Sequence, residues 1–291
     1  MELIAVKNIS KSIRDKAILK NISFEIVEGD CVALIGPNGA GKTTLMDCLL
    51  GERFVTSGQI TIQDKKPTDK QLKNIVSILP QENEIVNKIK VKELLTFFQS
   101  LYPNSLSNKE IDELLQFTEE QKNQLATKLS GGQRRLLSFI LTLIGRPKIL
   151  FLDEPTAAMD TSTRQRFWEI INQLKKQKVT IVYSSHYIEE VEHTAERILV
   201  LHKGELIRDT TPYEMRKEEK IKHFTLPISY RDTVENLPQA MDIEVKQNIV
   251  TFTTKDASQV WESLQETGCT IEEIEIQNRT LLDSVFETTQ N

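Results

Sequence analysis

The sequence predicts an α/β fold built on a mostly parallel sheet, and three observations carry that expectation. Short runs that are almost wholly apolar, Cys31-Val32-Ala33-Leu34-Ile35, Ile149-Leu150-Phe151-Leu152 and Thr180-Ile181-Val182-Tyr183-Ser184, read as strands covered on both faces. A 3.6-residue periodicity follows the second of them over residues 162–176, the pattern of a helix. A β-rich start followed by repeated βα units is the order of an α/β core.

Bulk composition bounds the function. With 291 residues, 39% hydrophobic and 27% charged, the chain has room for one large domain, or a domain and an appendage, of ordinary globular character. A net charge of −5 argues against a duplex nucleic-acid binder, so no nucleic acid is expected as a partner. No run approaches the roughly 18 apolar residues of a membrane-spanning helix. The longest apolar concentration, residues 136–144, is half that length and is interrupted by Ser138 and Thr142. Met1-Glu2-Leu3-Ile4-Ala5-Val6 shows no basic leader before an apolar core, and Cys31, Cys48 and Cys269 are spaced as reduced thiols of a cytosol.

Along the chain, alternating apolar positions mark strands over residues 2–8 and 18–26, the latter through Leu19, Ile22, Phe24 and Ile26. Another strand, Gln59-Ile60-Thr61-Ile62, follows the turn Ser57-Gly58. The β-branched run Ile75-Val76-Ser77-Ile78-Leu79 stops at Pro80, which cannot donate to a ladder, so Gln81 begins a loop. Residues 91–128 form a charged, helical lobe with breaks at Tyr102-Pro103-Asn104 and near Thr118. The apolar helix 136–144 ends at Gly145 and Pro147. After the strand ending in Ser184 come a short helix, the strand Ile198-Leu199-Val200-Leu201 and a closing Lys203-Gly204 turn.

Past Thr210-Thr211-Pro212 the texture changes. Residues 216–222 are a dense charge cluster, read as a solvated helix or linker. Strands over 242–245 and 249–253 pair across Gln247-Asn248, and a helix over 258–266 opens with Asp256 capping toward Gln259. A strand over 270–276 and a helix from Leu281 complete a small α+β appendage.

Chemistry concentrates at Gly36-Pro37-Asn38-Gly39-Ala40-Gly41-Lys42-Thr43-Thr44, which joins the first apolar run to a helix. Three glycines let the backbone wrap an anion and aim successive N–H groups inward. The helix behind them adds partial positive charge. In this pattern Lys42 reaches β- and γ-phosphates and the Thr43 hydroxyl ligates Mg²⁺, which implies a nucleoside triphosphate. Asp153 and Glu154 close one buried strand and His186 follows another, at the carboxyl ends where ligands of open parallel sheets gather. Phosphoryl transfer to water needs such a set: a cation ligand, a base and groups that stabilise charge.

Jointly and in this order, the elements resemble the nucleotide-binding domain of ATP-binding cassette (ABC) proteins. The resemblance covers roughly residues 1–215 and matches a Walker A loop at Gly36, Pro37, Asn38, Gly39, Ala40, Gly41, Lys42, Thr43 and Thr44. It matches a Q-loop glutamine at Gln81 and a signature motif at Leu129-Ser130-Gly131-Gly132-Gln133. A Walker B segment ends in Asp153 with Glu154 beside it, a D-loop is seen at Ala157-Ala158-Met159-Asp160, and the switch histidine falls at His186.

The resemblance implies a P-loop NTPase core with an antiparallel β-subdomain, a helical subdomain at about 88–145, and an extension over 220–291. It implies ATP and Mg²⁺ as cofactors, with Thr43, Gln81 and Asp153 holding the metal. Glu154 would be the general base, Lys42 and His186 would stabilise the γ-phosphate, and Gln81 would join them in catalysis. Ser130 and Gly132 would meet ATP held by a second cassette, identical or related, and Gly131, Gln133 and Asp160 would join the nucleotide-binding residues.

An aromatic usually stacks on adenine upstream of the loop in this family. Here the aligned position is Ile13, which implies modest affinity. The tail Thr280-Leu281-Leu282-Asp283-Ser284-Val285-Phe286-Glu287 is similar to that of bacterial drug, antimicrobial-peptide and sodium exporters. The expected role is the ATPase subunit of an exporter, cytoplasmic and peripheral at the inner membrane face, docked on separate permease chains. The alternative is a soluble ABC switch acting on ribosomes or nucleic acid.

Overall fold

The computed structural model describes residues 2–82, 88–185, 188–218 and 221–278. The chain divides into two compact units, Met1–Thr210 and Thr211–Asn291.

In the first unit, β1 (Glu2–Ile13) and β2 (Lys16–Val27) form an antiparallel hairpin. β3 (Cys31–Ile35) leads into α1 (Lys42–Leu49), and β4 (Ser57–Ile62) returns to pair with β1. Opposed apolar pairs, Val6 with Phe24 and Ile60, Ile4 with Ile26 and Ile62, give this three-stranded sheet one buried face.

The main sheet takes in β3, β5 (Val76–Leu79), β6 (Ile149–Leu152), β7 (Thr180–Ser184), β8 (Arg197–His202) and β9 (Glu205–Thr210), in the order β5-β6-β7-β3-β8-β9. All neighbours are parallel except β8 and β9. Every residue of β3, β6 and β7 is buried, as their unbroken apolar sequences require. Leu34 stands opposite Ser184 and Leu152 opposite Tyr183, so the carboxyl ends of these strands are level.

β9 was not expected. Lys203 and Gly204 have φ of 47° and 84°, so the turn read as closing the domain is a two-residue hairpin, and the chain folds back along β8. Its sequence, Glu205-Leu206-Ile207-Arg208-Asp209-Thr210, lacks clean alternation because it lies at an edge.

Between β5 and β6 lies the helical lobe: α2 (Val91–Ser100), α3 (Asn108–Leu115), α4 (Glu119–Asn123) and α5 (Gly131–Leu143). Reciprocal capping boxes open the last three, Ser107 with Glu110, Thr118 with Gln121, and Ser130 with Gln133. α5 starts five residues before the expected 136 because that box fixes its first turn. α6 (Thr161–Lys176) follows β6 and α7 (Ile188–Thr194) follows β7. Phe139, Phe167, Trp168 and Tyr183 contact one another in series, the first pair tilted and the next two edge to face, tying α5 and α6 to β7.

The second unit opens with α8 (Pro212–Glu218), whose end overlaps the charge cluster over 216–222 that the sequence reads as a solvated helix or linker. Then come β10 (Lys222–Pro227), α9 (Arg231–Glu235), β11 (Met241–Val245), β12 (Ile249–Thr254), α10 (Ala257–Glu266) and β13 (Glu275–Asn278). The order β11-β12-β10-β13, antiparallel throughout, makes this β-α-β-β-α-β run a ferredoxin-like sheet. Phe224, Leu226, Val250, Phe252, Val260 and Leu264 fill its core.

Gln247-Asn248 turns β11 into β12, and Asp256 Oδ1 accepts the Gln259 N–H at 3.1 Å, both as the sequence predicts. The strand expected over 270–276 starts only at Glu275, because Glu273 caps the Thr270 N–H and hydroxyl and holds that stretch as a turn. The helix expected from Leu281, with the tail to Glu287, lies outside the described residues.

Candidate active site

The phosphate loop starts where β3 ends. Gly36 has φ of 151°, and a Cβ there would sit 2.2 Å from the Leu201 carbonyl oxygen. Gly41, at φ of 108°, occupies the N-cap of α1, where a Cβ would meet Leu19 Cδ2 at 2.8 Å. Both positions therefore require glycine. No side chain caps α1 and its first turn holds no acidic residue, so its leading N–H groups face outward as donors for an anion. Asn38 and Gly39 form the exposed crest, and Ala40 is pinned by its N–H to Pro37 O at 3.1 Å and by the Gly204 N–H at 3.1 Å.

Lys42 is 7% exposed, and its Nζ donates to the carbonyls of Gly36 at 2.7 Å and Pro37 at 3.3 Å. Burial holds its ammonium below the usual lysine range, while Glu154 and Asp153 draw it back up. Next to it Thr43 is exposed and Thr44 half-buried. Thr43 Oγ1 stands 3.5 Å from Asp153 Oδ2, so a hydroxyl and a carboxylate on different elements face one point.

The two carboxylates follow β6 directly. Asp153 is 7% exposed and accepts the Ser184 hydroxyl on Oδ1. Glu154 has φ of 44°, a left-handed conformation that costs a non-glycine residue about 1–2 kcal/mol. Its N–H donates to Ser184 Oγ at 2.9 Å, and its side chain accepts Gln81 Nε2 at 3.3 Å. Ser184 thus ties both carboxylate residues to the end of β7. The sequence reading treated it only as a strand's last residue.

Arg135 was missed altogether. It lies on α5 with its side chain fully buried, and its guanidinium donates to the carbonyls of Pro155 (2.9 Å), Asp153 (2.8 Å), Glu154 (3.1 Å), Gln81 (3.2 Å) and Pro80. The available signal was its spacing, four residues before buried Phe139 on the inward face of the helix.

The remaining predicted residues gather elsewhere. Ser130 Oγ accepts the Gln133 N–H at 3.2 Å and Gln133 Oε1 accepts the Ser130 N–H at 3.1 Å. Gly131 and Gly132 face the segment ahead of α6: a Cβ on Gly132 would meet Asp160 Oδ2 at 3.1 Å, and one on Gly131 the Ala158 carbonyl at 3.7 Å. Asp160 caps α6 through the Thr163 N–H at 2.9 Å and also accepts the Ser162 and Thr163 hydroxyls. These bonds, the Thr163 N–H foremost, bring its pKa down to about 2.

The structure therefore brings together Lys42, Thr43, Gln81, Asp153 and Glu154, and separately Ser130–Gln133 with Asp160. His186 lies outside the described residues. Ile13 is 38% exposed at the tip of the β1–β2 hairpin, two residues beyond Lys11, whose cross-strand partner Leu19 packs on Gly41.

A profile of the ABC transporter family matches residues 19–157. The chain is 34% identical to the linearmycin resistance ATP-binding protein LnrL of Bacillus subtilis over 70% of its own length and 68% of the relative's. It is 32% identical to the Nod factor export ATP-binding protein I of Rhizobium meliloti, over 88% and 79% of the two chains. With YxlF, an ABC transporter ATP-binding protein of Bacillus subtilis, it shares 31% identity over 78% and 77%. Among solved structures, the ATP-binding subunit of an ABC transporter superposes with a TM-score of 0.66 at 23% identity, over 74% of this chain and 92% of that one. A dimeric ATP-binding cassette holding ADP and phosphate gives a TM-score of 0.63 at 23% identity, over 72% and 99%.

Proposed function

The chain belongs to the ATP-binding proteins of the ABC transporter family and is an ATPase of that family, and from that premise we propose that it powers an exporter whose membrane-spanning subunits are separate chains. The observation that carries the chemistry is the convergence of Lys42, Thr43, Gln81, Asp153 and Glu154 at the level carboxyl ends of β3 and β6.

An arriving triphosphate takes the place of the Gly36 and Pro37 carbonyls as partner of Lys42 Nζ, while the loop N–H groups and the start of α1 bind its oxygens. Thr43 Oγ1 and Asp153 Oδ2 are hard oxygen donors 3.5 Å apart and would hold Mg²⁺, with Gln81, whose amide meets Glu154 at 3.3 Å, as the third candidate. When bound, the cation neutralises charge on the phosphates. Glu154, released from Gln81 Nε2, accepts the proton of the attacking water on a carboxylate oxygen. His186, following β7, is assigned to the γ-phosphate.

Ser130, Gly131, Gly132, Gln133 and Asp160 face one another within the chain, and in this reading they serve ATP on a second cassette, identical or related. Ser130 Oγ is an acceptor in its cap and keeps its own O–H for an anion. An apolar groove of about 360 Å³ bounded by Ile78, Leu79, Leu94, Phe98 and Tyr102, with Phe97 exposed on the same helix α2 and Leu101 exposed at its C-cap, suits a short amphipathic segment of the permease. In this reading the protein works at the inner membrane face. No helix among the described residues is long and apolar enough to cross a bilayer. Relatives named for linearmycin resistance and Nod factor export support the outward direction. A peptide, drug or ion is the cargo class in this reading.

Glu154→Gln tests the chemistry. It should retain Mg-ATP, gather into pairs on size exclusion, and hydrolyse about 10²–10⁴-fold more slowly. Turnover at the wild-type rate would remove Glu154 from the role of base.

A further inference from the structure

We propose that Arg135 is a positioning residue for hydrolysis, which fixes the main chain at Gln81 and on both sides of Glu154 and so sets the aim of the base. This rests on the reading of Glu154 as base. The carbonyls that Arg135 collects belong to Pro80 and Gln81 on one segment and to Asp153, Glu154 and Pro155 on the other. The side chains of those segments meet each other through Gln81 Nε2 and Glu154 Oε2 at 3.3 Å. One guanidinium therefore sets the spacing between the base and the amide that holds it.

Glu154 needs that help. At φ of 44° its backbone is outside the wells an L-residue prefers, so side-chain direction there depends on what restrains the peptide groups before and after it. Ser184 Oγ holds the N–H and Arg135 Nη2 holds the C=O. Burial lowers the guanidinium pKa and Asp153 and Glu154 pull it back up, which leaves it at about 10, so the group keeps its charge at neutral pH.

Arg135 also rides on the helix that opens with Ser130, Gly131 and Gly132. A displacement of that turn moves the guanidinium, and the Glu154 and Gln81 main chains move with it. The planar fork is what spans two segments; a lysine ammonium offers its three donors at one point and cannot reach both.

The test is a double-mutant cycle on the full chain with Arg135→Lys, Glu154→Gln and the pair, following phosphate release at varied ATP. Misplacing a reacting group by about an ångström costs up to about 10²-fold. Arg135→Lys should accordingly lower kcat about 10- to 100-fold while KM for ATP stays within about threefold. In the Glu154→Gln background the same change should subtract little more, because its route to the reaction is already cut. Arg135→Gln, read beside it by circular dichroism melting, guards against a folding defect.

The inference is overturned if kcat is unchanged, if KM alone rises, if the two losses multiply, or if both Arg135 variants are unfolded at assay temperature. Wild-type turnover by Glu154→Gln alone is the distinct signature of a failed base assignment, and it takes this inference down with it.

Discussion

Ile13→Tyr is the perturbation that asks most of the structure with least risk to the fold. Ile13 is 38% exposed at the end of β1, across the Arg14-Asp15 turn from Lys16, so a ring there displaces nothing in the core and suits a strand. The tip is anchored to the nucleotide loop, because Leu19, paired with Lys11, fills the space beside Gly41. If the adenine ring lies over this tip, an aromatic face adds about 0.5–1.5 kcal/mol. At about 1.4 kcal/mol per decade that is a two- to twelvefold tighter Kd for ATP.

The assay is competition against a fluorescent nucleotide in the Glu154→Gln background, so that nothing turns over, with ATP and inorganic triphosphate as competitors. ATP should gain and the base-free triphosphate should not. Equal gains for both ligands, or none for ATP, would refute the placement of adenine at Ile13.

Other expectations follow from the same geometry. Gly36→Ala sets a Cβ 2.2 Å from a main-chain oxygen at φ of 151°, so it should lose ATP binding and at least about 2 kcal/mol of stability by urea melting; a normal melt would show the loop to be pliable. The Asp160 pKa lies at about 2 in the folded protein, below the usual carboxylate value, so its cap stabilises fully above about pH 4 and fades as pH falls through 2. The difference in Tm between wild type and Asp160→Asn should therefore be flat from neutral pH to about 5 and shrink below it. A gap independent of pH would mean the charge of Asp160 contributes nothing.

What was legible in the sequence was local. Apolar runs at 149–152 and 180–184 could only be buried strands, and the glycines at 36 and 41 announced backbone that no other residue adopts. β9 was hidden because an edge strand needs no alternation, and the turn before it resembles an ending. The ferredoxin-like sheet was read only as α+β, since its central pair, β10 with β12, joins residues more than twenty apart. Arg135 was invisible for a different reason. Next to Arg134 it looks like a solvated charge, and only the chain's return past Pro80 and Asp153 supplies the oxygens that let a guanidinium enter the interior.

The inward-turned Lys42 has a consequence for which solutes the pocket admits. A cation already hydrogen-bonded to two carbonyls of its own loop is not bare, and an incoming oxyanion must displace them before it gains anything. A lone orthophosphate brings one group to that exchange. A chain of three brings several, spread over the loop and the head of α1, so a triphosphate should displace those carbonyls where orthophosphate should not.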